Sequence, residues 1–286
     1  MLIEDKKKLP IDFPVHIEHY REKRREGFVS DVAHWHNFFE ITYVEEGSAN
    51  YYVNGKQYNV SSGDSIIFNH TEAHRWEVTS EEVCLKVLIF SSNLIADGFS
   101  INDIDYLIPF LERGSNFTNK ISRTKVHSEE IQKLMEEIFL ESTGSKPGKR
   151  LMIKADILRI LTILVRYYQK NEESDESLWE KKNGMHRIGI SLDYIRNQYH
   201  RKLTLEEVAS TVYMSPNYFS AFFKKVTGGS FQDYLSKVRI EKAQKLLKTT
   251  DNSILEVAHK VGIQNVSNFY RLYKKYTDRV PGEERQ

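Results

Sequence analysis

Two histidines and a glutamate stand at His34-x-His36-x-x-x-Glu40, and a further histidine, His74, follows the Gly63-Asp64 turn. In an extended strand side chains alternate faces, so positions 34, 36 and 40 are expected on one face of a sheet. Three imidazoles and a carboxylate suit a divalent transition metal held by His34, His36, Glu40 and His74. The same groups suit a metal-free pocket that hydrogen-bonds an organic ligand, and they also suit histidines satisfied within a sheet wall. Trp35, Tyr43, Tyr52 and Trp76 lie close by in sequence. Flat rings cover pyranose faces while polar groups fix orientation, so His34, Trp35, His36, Glu40, Tyr43, His74 and Trp76 form a candidate sugar-binding set. Core packing is the competing role for each aromatic.

The elements that must carry these groups are short strands. Phe38–Val44 runs into Glu46-Gly47, Ala49–Val53 into Asn54-Gly55, and Gln57–Val60 into Ser61-Ser62-Gly63-Asp64; Ser65–Phe68 and Val83–Phe90 follow. Asn-Gly is a strong type I′ hairpin signal, and strands at this spacing indicate a β-barrel or jelly roll. Residues 1 to about 27 read as a charged arm with one edge strand. A short helix is expected around Asn102–Leu111. Two longer ones follow, the first starting at Ser128 and carrying Ile131, Leu134, Met135 and Ile138, the second from Arg150 to about Lys170. The second is apolar almost all round, which makes it the candidate dimer element. Asn171–Gly184 is polar and reads as a linker. The expected organisation is 1–124 β-barrel domain carrying the candidate site, 125–170 helical dimerisation element, 171–184 linker and 185–286 all-α domain, an α+β multidomain chain.

That C-terminal part writes one pattern twice. Val208-Ala209-x-x-Val212, Phe219 and Phe223-Lys224-Lys225-x-Thr227 return as Val257-Ala258-x-x-Val261, Phe269 and Tyr273-Lys274-Lys275-x-Thr277. The offset grows by one residue between Ile263 and Phe269. Thr204 is the expected N-cap of a first helix with Glu207 as capping-box partner, and Ser215 caps a second with Pro216 at its first turn. There Phe219, Phe222, Phe223 and Val226 fall on the core face. The outward face carries Asn217, Ser220, Lys224 and Lys225, and in the second copy Ser267, Tyr270, Arg271 and Lys274. Paired outward stripes of this kind fit two major-groove readers, with base edges met by the N-terminal side chains and phosphates by lysines. Phe231 to about Lys248 supplies a strut of roughly 27 Å at 1.5 Å per residue, near the roughly 34 Å between successive major grooves.

Charge supports the assignment once it is divided. From His186 onward there are 17 Lys and Arg against 10 Asp and Glu, leaving 24 against 30 for the rest, so the basic third faces the polyanion. No apolar run reaches the roughly 20 residues of a membrane span, and no signal-peptide core follows the N-terminus. A single cysteine, Cys84, excludes an internal disulfide and fits a reducing cytoplasm. Neither a catalytic nucleophile arrangement nor a phosphate-cradling glycine loop is present, so no catalytic residue is assigned and no cofactor is required; the divalent metal considered above is the one candidate.

Thr204–Leu247 and Ser253–Arg285 resemble the tandem helix-turn-helix domain of the AraC family of transcription regulators, and residues 29–90 resemble the cupin-type effector domain often fused to it. Departures are local: Asn69, Thr71 and Val78 stand where the second cupin motif has Pro, Gly and Asn, and Gly27 is one residue out of register. In the second helical copy Ile263, Asn268, Asp278 and Glu284 replace family residues. The resemblance implies a DNA-binding activator, a homodimer on direct-repeat sites, RNA polymerase as a further partner, and a small effector in the barrel, with a sugar or glycoside the leading class. The alternative reading is a metal-dependent cupin enzyme with a helical appendage.

Overall fold

The computed structural model describes residues 2–5, 7–24, 33–69, 72–96, 106–111, 117–124, 127–169 and 175–285. Two compact units divide the chain. The first holds the sheet-rich part up to Lys181, and the second holds Lys182 onward together with Pro10–Phe13. The leading Gly27, Thr71 and most of the expected helix from Asn102 lie outside the described residues, although Ile108–Leu111 is helical.

Among the described residues, ten strands form two five-stranded sheets in the first unit. They are β1 (Leu2–Glu4), β2 (Val15–Lys23), β3 (Ala33–Trp35), β4 (Phe39–Glu46), β5 (Ser48–Val53), β6 (Lys56–Ser61), β7 (Ser65–Phe68), β8 (His74–Val78), β9 (Glu82–Phe90) and β10 (Lys120–Ile121). One sheet has the order β1-β3-β8-β5-β6 and the other β10-β7-β4-β9-β2. All pairings are antiparallel except β1 with β3. The β5–β6 hairpin turns at Asn54-Gly55, whose φ angles of 48° and 81° are the left-handed pair a type I′ turn requires. Apolar side chains of both sheets meet between them: Tyr51, Val53, Val60 and Val78 from one, Val44, Ile66, Phe68 and Leu85 from the other. Burying such a face is the main term holding two sheets together.

Helices α1 (Asn93–Ala96) and α2 (Ile108–Leu111) are short, and α3 (Ser128–Thr143) and α4 (Lys149–Gln169) form a hairpin. α3 buries Ile131, Leu134, Met135 and Ile138, and α4 buries Ile153, Ile157, Ile160, Leu161 and Leu164. Leu151 and Met152, at the start of α4, stay exposed. The segment read as a linker is largely helical, because α5 runs from Asp175 to Gln198. Its glutamates and lysines are good helix formers, and its two glycines, Gly184 and Gly189, cost only about 1 kcal/mol each, so a polar composition does not break it.

The second unit contains α6 (Leu205–Thr211), α7 (Pro216–Thr227), α8 (Phe231–Thr249), α9 (Ile254–Lys260) and α10 (Val266–Thr277), closed by a 3-10 turn at Pro281–Arg285. Helix starts are set by side-chain caps: Thr204, Ser215, Ser253 and Asn265 each accept the backbone N–H three residues on. The full capping box lies at Ser253 and Glu256, not at Thr204 and Glu207. Glu207 is held instead by Arg201 and by the Tyr194 hydroxyl at 2.8 Å, so it cannot return to the Thr204 N–H. Gly228 (φ 75°) and Asp278 (φ 59°) end α7 and α10 in the left-handed conformation.

Candidate functional site

His34, His36, Glu40 and His74 do converge, but not along one strand. β3 ends at Trp35, the chain turns through His36–Phe38, and β4 begins at Phe39 in the opposite sheet. The histidines and the glutamate therefore meet across the interior of the sandwich. His34 lies directly opposite His74 in the β3–β8 ladder, with ring centroids 4.3 Å apart. One ligand nitrogen from each of His34, His36 and His74 lies within 4.8 Å of the others.

His36, His74 and Glu40 are each fixed by neighbours. His36 Nδ1 is 3.0 Å from the Phe38 carbonyl and His74 Nδ1 is 2.9 Å from the Glu72 carbonyl. A carbonyl only accepts, so both Nδ1 atoms donate and both Nε2 atoms point to the cluster. His36 stacks on Phe38 at 3.9 Å and His74 on Phe68 at 4.0 Å. Glu40 Oε2 is 3.0 Å from His36 Nε2 and 3.8 Å from His74 Nε2, while Thr42 Oγ1 donates to Glu40 Oε1 at 2.7 Å. Burial would push the Glu40 carboxyl up, yet His36, His74 and Thr42 outweigh it and hold it at about 2. Burial pushes His74 down to about 4, partly countered by Glu40, and burial also lowers His34. At neutral pH this leaves an ionised Glu40 facing a neutral His74.

A cavity of about 160 Å³ opens beside this cluster. His34 and Glu40 reach it from the cluster, and Phe38, Tyr51 and Trp76 supply aromatic walls. Trp76 is fixed by its indole N–H, which donates to Glu22 at 3.1 Å. His36 and His74 stand behind the cavity and do not line it. Trp35 and Tyr43 are absent from its lining. Each is odd in register against its inward neighbours, Trp35 beside His34 and His36, Tyr43 beside Glu40 and Thr42, so alternation turns both away. Tyr43 instead borders a separate hollow with Glu45, Lys86 and Glu136.

The N-terminal arm contributes what sequence reasoning missed. His16, Glu18 and Tyr20 of β2, with Asp5 and Lys7 before it, form one wall of the cavity. Their signal is the i, i+2, i+4 alternation of His16, Glu18 and Tyr20, which shows no partner until β2 pairs with β9.

In the second unit α7 buries Phe219, Phe223 and Val226 and exposes Asn217, Ser220, Lys224 and Lys225. α10 buries Phe269, Leu272 and Tyr273 and exposes Ser267, Tyr270, Arg271 and Lys274. Phe222, expected in the core, is half-buried and stacks at 5.8 Å on Tyr218, itself 57% exposed. Tyr213 (90% exposed) and Tyr218 thus add two aromatic rings that the sequence pattern did not single out. Arg271 is pre-oriented by a 2.8 Å hydrogen bond to Asn268 Oδ1, and Lys275 is drawn to Asp233 at 3.0 Å. Among the described residues no helix is long and apolar enough to cross a membrane.

Comparison with known proteins gives the two units their relatives. A model of the AraC-like ligand binding domain matches residues 18–161, and a model of a helix-turn-helix domain matches residues 208–286. The HTH-type transcriptional activator RhaS of Klebsiella pneumoniae (strain 342) is 26% identical over 256 residues, 88% of this chain and 87% of that protein. An uncharacterized HTH-type transcriptional regulator of Staphylococcus aureus (strain MRSA252) is 24% identical over 249 residues, 87% of this chain. The chain spans only 31% of that relative's length. Among solved structures, the DNA-binding domain of AdpA in complex with a target DNA is 26% identical, covers 34% of this chain and 88% of its own, and gives a TM-score of 0.33.

Proposed function

The chain belongs to the AraC family of transcription regulators, with a ligand-binding domain and a helix-turn-helix DNA-binding domain, and from that premise we propose that it is an activator controlled by a sugar or glycoside. The observation that carries this reading is the cavity beside His34 and Glu40. It combines aromatic walls from Phe38, Tyr51 and Trp76 with hydrogen-bonding groups from His16, Glu18 and His34. At about 160 Å³ it is smaller than the 300–1,000 Å³ of drug-sized pockets and suits one sugar ring. The named activity of the RhaS relative agrees with an activator.

In this reading Asn217, Ser220, Ser267, Tyr270 and Arg271 meet base edges, while Lys224, Lys225 and Lys274 meet phosphates. The protein acts as a homodimer through α4, whose exposed Leu151 and Met152 supply apolar surface for the partner copy, and the bound dimer engages RNA polymerase. The expected site of action is the cytoplasm, and no catalytic step is assigned.

A panel of monosaccharides and glycosides screened by thermal shift, followed by DNA-binding titrations with each hit, tests the proposal. One sugar class is expected to raise the melting temperature and to change DNA affinity in the same concentration range. A panel without any such effect would remove the sugar assignment and leave the family assignment standing.

A further inference from the structure

We propose that the hollow between α3 and the outer face of the β10-β7-β4-β9-β2 sheet binds a small organic cation carrying N–H donors, of the alkyldiamine or guanidine class. The site is separate from the cavity beside Glu40 and rests on neither the sugar nor the dimer reading. Its floor is set by the strand ladder. Val44 and Leu85 point into the sandwich, so their neighbours Tyr43 and Lys86 point out of it. Tyr43 of β4, Lys86 of β9 and His19 of β2 are register partners in one row across three strands. Glu45, two residues after Tyr43, shares that face and meets His19 Nε2 at 2.6 Å. Opposite, α3 presents Glu129, Gln132, Lys133, Glu136 and Glu137, which at i, i+3, i+4, i+7 and i+8 lie on one side of the helix. The space between is about 500 Å³, within the range of small-molecule pockets.

Tyr43 is the first sign of a guest. It borders the hollow while only 3% exposed, and its hydroxyl has no hydrogen-bond partner among the described residues. A buried hydroxyl left unmet is costly, so a polar group in the hollow that meets it is stabilised there. Burial pushes the Tyr43 hydroxyl up, so it keeps its proton and offers an acceptor as well as a donor.

Charge decides what kind of guest. Lys86, 3% exposed, is neutralised within the site by Glu45 and by Glu136 at 2.7 Å. Lys133 is paired along α3 with Glu137 at 3.9 Å. Glu129 has no ion pair among the described residues, and the lining carries four carboxylates against two ammonium groups. An anion is repelled by that excess. A cation with N–H groups can donate to Glu129 and to the Tyr43 oxygen together, and hydrogen bonds from a charged donor to a carboxylate are the strong ones. A divalent metal ion fits less well, because the Lys86 ammonium already occupies the space between Glu45 and Glu136 where such an ion would gather oxygen ligands.

The test titrates the full chain by calorimetry and thermal shift with 1,4-diaminobutane and with agmatine, in a buffer without primary amines. One saturable site per chain is expected, with a melting temperature that rises with ligand concentration. Tetramethylammonium, a cation without N–H donors, should bind about tenfold more weakly. Glu129→Gln, at an exposed position, should weaken the diamine about tenfold, and Tyr43→Phe, which keeps the ring and removes the hydroxyl, about fivefold. The ligand-free Tyr43→Phe protein should melt cooperatively at or above the wild-type temperature, since it loses only an unmet hydroxyl. Absence of saturable binding by both probes would overturn the site, and equal affinity in wild type and both variants would place the cation elsewhere on the molecule. Displacement of the diamine by an equal concentration of Mg²⁺ would overturn the organic class.

Discussion

A Cβ added to Gly262 would stand 2.6 Å from the carbonyl oxygen of His200, and the backbone there has φ +82°. At the matching turn of the first helical copy Tyr213 holds φ +54° with its side chain 90% exposed. The two copies thus solve one turn differently: the second packs its turn against the 199–200 backbone, and the first leaves it open. Gly262→Ala is expected to destabilise the DNA-binding unit by about 2 kcal/mol or more, since the left-handed conformation alone costs roughly 1–2 kcal/mol for a residue with a Cβ. Tyr213→Gly should be neutral or slightly stabilising. Thermal melts of the two full-length variants check this, and a Gly262→Ala melt matching wild type would contradict the close approach.

The proposed DNA contacts divide between side chains by type. Arg271 is exposed and aimed by Asn268, so its alanine variant should relax sequence choice at one base position by about 1–3 kcal/mol. Lys224 lies in the last turn of α7, where a phosphate contact gives no sequence information. Lys224→Ala should weaken all sites alike and reduce the salt slope by about one. Binding titrations on a randomised site at several salt concentrations separate the two. Unchanged affinity and footprint for both variants would remove these helices from the interface.

The tandem helices were legible because their determinants are local: caps at Thr204 and Ser215 and periodic apolar positions. The cluster around Glu40 was legible in residue type but not in placement. Sequence alternation holds within a strand, and the break at His36–Phe38 moves Glu40 to another sheet. Glu207 shows the same limit, since its cap partner was displaced by Arg201 and Tyr194, one of them on another helix. The wall built by His16, Glu18 and Tyr20 depends on β2 pairing with β9, a contact about 70 residues distant that no local pattern encodes.

Trp76 gives the cavity a spectroscopic handle, since the chain has only three tryptophans. It borders the cavity, and its ring meets His34 edge-on at 5.9 Å. A sugar stacked on that wall should change tryptophan emission in wild type, and Trp76→Phe should remove most of the change while preserving the fold. An emission change of full size in Trp76→Phe would move the effector away from this wall.

Asp64 sets an acid limit on the first unit. It is buried in the turn before β7 and accepts the Arg123 N–H at 2.8 Å, the Ser61 N–H at 3.0 Å and the Lys120 ammonium at 2.9 Å. Burial pushes its carboxyl up, but these donors win and hold it below its ordinary value near 4. A carboxylate depressed in the folded state binds fewer protons than in the unfolded chain. Its stabilisation is therefore complete above the ordinary carboxylate range and is lost as pH falls through the folded value. Asp64→Asn should cost about 1–3 kcal/mol at neutral pH, because the Lys120 pair and the charge-assisted bonds both weaken. The gap between variant and wild type should narrow steadily below about pH 4. Melting temperatures of both proteins from pH 7 to pH 3 measure it, and a gap that stays constant across that range would show that the Asp64 charge contributes nothing to the fold.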